Sequence, residues 1–438
     1  LRPHFNGPIS LEEFISSKKG ALRKRYEDAC RKILKSGFDL TKHNEILAFI
    51  KNELYDELKP PRMIMGRDVR FNLVYGRFTT ALEHCMTKLA QVSKGRNFLE
   101  RGQQFSDVIY GSWILECDFS KYESTQRPEL LTTIELGIWE RLLSDSDYDL
   151  IRQVFIAKMM KKGATSNGTK FKFEWCRGSG DMDTGLFNTL ITWVACRYFE
   201  IINKSGHGNF ICDGDDNLMK LPVGMEQYVN TFAHFGLDAK LILRKDYHDA
   251  DYCSGKFIQY KPGQFIYVQN VNKIMQNLRV FRKAKFSHCI GEYYYSLGFM
   301  YSIMYKDFPL YSSIARFLMS FTKTRKHVNA DILREINPAH AEAFQLSNYE
   351  LNFDRRIVEV EMAMCFNLSV NEIWTLSLYY DTHTIDISPS EDKRYNASKP
   401  PAVLLTKQQL ETVESIQVSA SLNANFYTRA YHNIMNYM

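Results

Sequence analysis

The chain has no cysteine pattern of the kind that holds zinc. Its nine cysteines include no Cys-x-x-Cys and no Cys/His cluster at ligand spacing, which speaks against zinc ribbons and fingers. An odd, scattered set fits a reducing compartment, with buried thiols serving as small apolar residues. No stretch reaches the roughly 18 uninterrupted apolar residues of a membrane span. The best candidate, Leu190 to Ile202, is short and carries Arg197 and Glu200. Internal repeats and low-complexity tracts are absent, no secretory signal pattern opens the chain, and the composition is not that of a disordered polymer. Because residue 1 is leucine, the expectation is a piece of a longer precursor, with any membrane anchor outside it.

What is present suits a large folded protein. A chain of 438 residues, 45% of them apolar, can bury a substantial core and fits two or three subdomains around a shared centre. The net charge of +6 permits a polyanionic partner without demanding one. The cations come in groups: Lys18 to Lys35, then Lys158, Lys161 and Lys162, then Arg279 to Lys285, then Lys323 to Lys326. Taken singly, each group reads as a solvated helix face before it reads as a nucleic-acid contact.

Residues 1 to 58 read as helical and basic, leading to the stiff Lys59-Pro60-Pro61-Arg62. Trp113 to Cys117 is a short apolar run, a buried strand ending at Asp118. Pro128 suits the first turn of a helix, and Leu130, Ile134, Ile138 and Leu142 continue it. The Gly-rich loop Arg177 to Asp181 leads into an apolar helix over Thr184 to Ile202. Phe210 to Cys212 and Asn217 to Met219 flank a tight Asp-Gly turn, a strong hairpin signal. A second hairpin is expected where Lys256 to Tyr260 and Gln264 to Gln269 straddle Pro262-Gly263. Beyond residue 272 the pattern is helical and aromatic, with Tyr293, Tyr294, Tyr295, Phe299 and Tyr305 read as helix packing. Residues 381–402 read as a polar loop before a last helical stretch. The mixture of strands and helices between 110 and 270, bracketed by helices, is an α+β arrangement.

Phosphoryl transfer to a nucleoside triphosphate needs two divalent cations about 3.5–4 Å apart, clamping the attacking and leaving oxygens. Such hard cations want carboxylate oxygens on rigid backbone. A strand ending in Asp118 beside a hairpin turn presenting Asp215 and Asp216 supplies them, and Gly214 lets that turn fold tightly. Gly-Asp-Asp alone is a weak signal, since Asp-Gly turns also occur in hairpins without chemistry.

The ordered set decides. Leu115 to Gln126 reads Leu-Glu-Cys-Asp-Phe-Ser-Lys-Tyr-Glu-Ser-Thr-Gln, and Ser179 to Thr189 reads Ser-Gly-Asp-Met-Asp-Thr-Gly-Leu-Phe-Asn-Thr. Gly214-Asp215-Asp216 and Asp251-Tyr252-Cys253-Ser254 follow, while upstream stands an arginine-rich segment from Arg62 to Phe78. In this order and spacing, across residues 59 to 257, they resemble the polymerase motifs of positive-strand RNA viruses, most nearly the tombusvirus-like (carmovirus-like) supergroup.

That resemblance implies a viral RNA-dependent RNA polymerase with a right-hand fold of fingers, palm and thumb, an antiparallel palm sheet and a helical thumb. Residues 1–110 would be fingers, 111–145 palm, 146–175 a fingers insertion, 176–271 palm, and 272–438 thumb and C-terminal extension. Asp118, Asp215 and the auxiliary Asp216 would hold two Mg²⁺ or Mn²⁺ ions. Lys59, Arg62 and Arg67 would hold triphosphate, since planar guanidinium forks suit phosphate oxygens; Arg70 either shares that role or pairs with Asp68 or Asp107. Ser179, Thr184 and Asn188, with Glu123, would support the template base and the incoming ribose. Tyr252, Cys253 and Ser254 would grip the primer strand, and Lys240 is the candidate general acid. Implied partners are an RNA template and product, NTPs and other viral replication proteins. The implied location is the host cytoplasm, at membrane-associated sites reached through regions outside this chain.

Two positions depart from the family pattern. Glu123 replaces an aspartate, and Asp183 replaces an asparagine at a helix start where either residue can cap. A second negative charge near a triphosphate is unhelpful, so Asp183 is expected to face away. Two other readings compete: a reverse transcriptase, disfavoured by Gly214 in the turn and polar Glu123 at the ribose, and an inactive RNA-binding palm protein, disfavoured by intact carboxylates.

Overall fold

The computed structural model describes residues 1–51, 60–271, 289–321 and 352–383, with the single positions 274, 328, 332 and 333. Lys59, the basic groups at 279–285 and 323–326, and nearly all of the loop expected over 381–402 lie outside the described residues. The chain divides into two compact units, residues 1–95 with 107–253, and residues 96–106 with 254–438.

Among its described residues the first unit holds eight strands: β1 (Ile46–Ile50), β2 (Met63–Arg67), β3 (Trp113–Phe119), β4 (Met160–Thr165), β5 (Lys170–Glu174), β6 (Phe210–Asp213), β7 (Asp216–Leu221) and β8 (Ala239–Arg244). They form two four-stranded sheets, in the orders β6-β7-β3-β8 and β2-β1-β4-β5. The former is wholly antiparallel. Side chains alternate along β3, so Leu115 and Cys117 enter the core with Met219 and Leu221 of β7 and with Phe187, Leu190 and Ile191 of the helix Thr184–Asn203. Asp118 lies on the opposite face and is exposed.

The second sheet departs from the sequence reading, which made residues 1–58 helical and assigned no strand within 146–175. The early helices are present, Leu11–Ser16, Gly20–Ser36 and Leu40–His43, but β1 follows them. It pairs antiparallel with β2 and parallel with β4. The contact is close at Gly163, where a Cβ would lie 2.1 Å from the Ile46 carbonyl oxygen. The expected helix beyond Pro128 is present with a fault in it. A π-helical turn, Thr132–Leu136, separates Pro128–Leu131 from Gly137–Leu142, and the turn carries Glu135, fully buried. Such widened turns cluster at functional sites.

The second unit contains the expected hairpin, β9 (Gly255–Lys261) with β10 (Gln264–Gln269). Its helices include Ile290–Met304, Tyr311–Ser320, Arg355–Phe366 and Val370–Thr382. Of the aromatics read as helix packing, Tyr294 and Tyr305 are buried among them, together with Tyr301 and Tyr311, while Tyr293, Tyr295 and Phe299 are half-buried. Among the described residues no helix is long and apolar enough to cross a membrane.

Candidate active site

The sheet β6-β7-β3-β8 aligns charged side chains across its four strands. Asp213 pairs with Asp216 across β6 and β7, and Asp118 pairs with Lys240 across β3 and β8. The last β3–β7 pair is Cys117 with Asn217, so the next step of that register sets Asp118 beside Asp216. Paired residues share a sheet face, giving the row Lys240, Asp118, Asp216, Asp213. Gly214 and Asp215 form the two-residue loop at its end, with Gly214 at φ +69°, a conformation a side chain would strain.

These carboxylates repel one another. Asp215 and Asp216 reach solvent yet are crowded by protein. That desolvation, then the charges of Asp215 and Asp213, pushes Asp216 up to about 6, although Cys253 donates to it from both backbone and thiol. Asp215 is raised by desolvation and by Glu123 and Asp118, with Arg62 pulling the other way. Arg62 therefore stands within electrostatic reach of the turn. Among the described residues no three His, Cys, Asp or Glu side chains converge closely enough to enclose one ion. The donor set itself fits a hard divalent cation, being all carboxylate oxygen and carrying charge that a cation would neutralise.

The helix Thr184–Asn203 clamps the turn. Gly214 N–H donates to Thr189 Oγ1 at 2.8 Å, and Thr192 Oγ1 donates to Gly214 C=O at 2.8 Å. Tyr122 bonds Thr192 Oγ1 at 2.7 Å. Losing the Thr192 hydroxyl leaves the half-buried Gly214 carbonyl without this donor and leaves the Tyr122 hydroxyl only the Asn188 carbonyl, at 3.3 Å, a loss of about 1–3 kcal/mol. Thr192→Val is therefore expected to slow catalysis about tenfold and lower the melting temperature, while Thr192→Ser keeps most of both. Equal behaviour of the two variants would remove the clamp from the account.

Glu123 and Asn188 meet. Asn188 Nδ2 donates to Glu123 Oε1 at 3.4 Å, and Gln126 Nε2 donates to Asn188 Oδ1 at 2.8 Å. Thr184 donates to the Gly178 carbonyl at 2.7 Å, and the Ser179 carbonyl accepts from Met65 N–H at 2.7 Å. The loop from Gly178 is thus tied to both the helix and β2.

Several expected roles change. Arg67 is buried, not facing a solvent-filled tunnel. Its guanidinium is ion-paired with Asp181 and donates to Asn44 and to the Lys158 carbonyl, the latter at 3.0 Å, so its donors serve the fold instead of triphosphate. Arg70 pairs with Asp68 through Nε at 2.9 Å and Nη2 at 2.8 Å, the structural one of its two readings. Lys158 and Lys161 are buried, so neither lies on a solvated face. Asp183 occupies the N-cap position without capping. It turns inward as expected, to Lys158, Arg177 (3.3 Å) and Tyr75 (2.8 Å). Burial opposes its ionisation, but Lys158 and Arg177 outweigh that and hold its carboxyl low. Tyr252 is buried and donates to Ser93 Oγ at 2.7 Å, which removes its hydroxyl from any primer grip. Cys253 and Ser254, at φ 48° and 61°, occupy the left-handed region uncommon for side-chain-bearing residues.

A family profile described as RNA dependent RNA polymerase matches residues 71–326, more than half of the 438. The chain belongs to the RNA-dependent RNA polymerase family. It is 28% identical over 230 residues to the RNA-directed RNA polymerase of groundnut rosette virus (strain MC1), covering 48% of this chain and 26% of that one. The enzymes of oat chlorotic stunt virus and carnation mottle virus are 25% and 24% identical over 228 and 234 residues, each covering 48% of this chain and 30% of theirs. The chain thus spans less than a third of the length of the curated relatives it matches. A crystal structure of an insertion loop deletion mutant of a human picobirnavirus RNA-dependent RNA polymerase is 15% identical with a TM-score of 0.44, covering 72% of this chain and 55% of that one. Divalent metal use is general in the RNA-dependent RNA polymerase family. Within this member, the motif reading omitted Asp213, Thr189, Thr192, Gln126 and Arg177. Only cross-strand register would have flagged Asp213, and only tertiary contacts the rest.

Proposed function

We propose that this chain carries the polymerising core of a viral replicase, transferring nucleotides from NTPs to a growing RNA 3′ end under direction of an RNA template. The observation that carries this reading is the row of Asp118, Asp216 and Asp213 closed by the turn carboxylate of Asp215. Asp118, Asp215 and Asp216 would hold two Mg²⁺ or Mn²⁺ ions. When bound, such ions supply activation of the attacking hydroxyl and charge neutralisation at the phosphates.

The chain's own side chains do the rest. Arg62 receives triphosphate near Asp215. Glu123 and Asn188 orient the ribose, with Ser179 and Thr184 holding the loop beside them. Lys240, opposite Asp118, donates a proton to departing pyrophosphate. In this reading β6-β7-β3-β8 is the palm sheet and β2-β1-β4-β5 belongs to the fingers, while Cys253 and Ser254 approach the primer strand. Incorporation of labelled NTP on a defined RNA, with Mg²⁺ or Mn²⁺ and with chelator, tests the reading. NTP use with metal and none without is expected, whereas equal or better use of dNTP would favour a reverse transcriptase.

In the same reading the RNA backbone would lie against a basic concavity. A concavity of about 1000 Å³ is lined by Arg25, Lys42, Arg70, Lys162, Lys170 and Lys172, against the acids Glu45 and Asp68. RNA affinity should fall steeply with salt and show little sequence preference, because phosphate contacts release counterions. Replacing Lys162, Lys170 and Lys172 with Ala should lower the log–log salt slope by about 2, at roughly 0.7 per phosphate contact. An unchanged slope would place RNA elsewhere.

A further inference from the structure

The groups behind the proposed ribose edge leave no freedom in how two side-chain amides are turned. A guanidinium only donates. Arg177 is buried. It directs Nη1 to Asp183 at 3.3 Å, Nη2 to Glu135 at 3.0 Å and Nε to Gln126 Oε1 at 2.7 Å. The Gln126 amide must therefore turn its oxygen to Arg177 and its nitrogen away, where it donates to Asn188 Oδ1 at 2.8 Å. With that oxygen taken, Asn188 can only present its N–H₂, which meets Glu123 Oε1 at 3.4 Å. Amide orientation is ordinarily set by the surrounding network; here one donor-only residue sets it twice in succession. Arg177 also fixes the far side of the pair, donating its backbone N–H to the Glu123 carbonyl at 3.2 Å.

We propose that Gln126, held by Arg177, is a positioning residue for sugar choice. It keeps the Asn188 N–H₂ turned outward, so that the pocket offers a donor beside the Glu123 acceptor. That pair matches a ribose 2′-hydroxyl, which both accepts and donates a hydrogen bond. A 2′-deoxy sugar satisfies neither group. The inference rests on the polymerase reading above and adds the residue that orients its specificity.

The test is single-nucleotide incorporation of ATP and dATP by the full chain on an RNA template and primer. The decisive variant is Gln126→Glu, nearly the same shape. The introduced carboxylate still accepts from Arg177, but it cannot donate to Asn188. The Asn188 amide then turns its nitrogen inward and its oxygen toward Glu123. Expected are a rise of about tenfold in KM for ATP, a smaller change in kcat, and a fall of about tenfold in ATP-over-dATP discrimination. Gln126→Met, which introduces no buried charge, should lose discrimination to a lesser degree. In an Asn188→Ala background Gln126→Glu should change discrimination less than twofold, because the residue it acts through is gone. A merely structural role would lower ATP and dATP use by the same factor. That outcome, or an unchanged ratio in both Gln126 variants, overturns the proposal. An unmodified chain that neither incorporates nor binds either nucleotide would sink the polymerase reading and this inference together. An active chain with a Gln126-insensitive ratio would sink the inference alone.

Discussion

Asp215→Ala is expected to abolish nucleotide incorporation while leaving the fold and RNA binding in place. The residue sits in a two-residue loop and reaches solvent, so truncation opens no core cavity. What it removes is a carboxylate on which the proposed metal site depends, a loss at least as severe as deleting one preorganised transition-state contact, about 100- to 1000-fold. Asp118→Ala should match it, and Asp216→Ala should be milder. Besides desolvation, Glu123 and Asp118 raise Asp215, and Asp215 with Asp213 raises Asp216, so removing Asp215 relieves repulsion, and the metal-free melting temperature should hold or rise. The same repulsion gives a pH signature. Asp216, pushed up to about 6, is increasingly protonated as pH falls through that value, and protons then compete with metal. The metal concentration needed for half-maximal rate should climb below about pH 6. A purified Asp215→Ala protein that elongates at near-normal rate contradicts the mechanism.

Lys158→Met should produce the largest loss of stability. Lys158 is buried with its ammonium between Glu135 and Asp183 and 3.3 Å from the Tyr75 hydroxyl. With Arg177 the four groups form two positive and two negative charges. Burial lifts Glu135 above the ordinary carboxylate range even with Lys158 beside it. Removing Lys158 leaves one buried acid uncompensated, at a cost of about 3–5 kcal/mol, a melting-temperature drop of roughly 3–6 °C for a chain of this size. The double variant Lys158→Met with Asp183→Asn restores the balance of Arg177 against Glu135, and it should recover at least half of that drop. Asp183→Asn alone, which installs the residue more usual in the resembled family, should destabilise, because it strands a buried cation. Strict additivity of the two single changes would show that the charges do not compensate each other.

This cluster also marks where sequence reasoning stops. The strand bearing Asp118 and the hairpin bearing Gly214 were legible because their signals are local, an apolar run and a turn between two such runs. Lys158, Lys161 and Arg67 were not, since a cation on a helix or strand gives no local sign of being buried. Its carboxylates come from elsewhere in the chain, as Asp181 does for Arg67. Asp183 was expected to turn away from a triphosphate and it does turn inward, to Lys158 and Arg177, but for want of a view of those two its role was read as that of a helix cap. The sheet β2-β1-β4-β5 escaped for a related reason. Its parallel pair joins Ile46 to Gly163, and no window of sequence contains both. Motif order located Asp118, Asp215 and Asp216. Register placed Lys240 opposite Asp118, and only packing exposed the threonine clamp and the Gln126 relay.

A chain of this kind must read an RNA template. The most direct measurement offers the purified chain a homopolymeric RNA template with a short complementary primer and Mn²⁺ or Mg²⁺, and supplies the four labelled NTPs one at a time. Only the complementary NTP should be incorporated, chelator should stop incorporation, and Asp215→Ala should incorporate none. Incorporation that ignores the template, or that persists in Asp215→Ala, would contradict the polymerase reading.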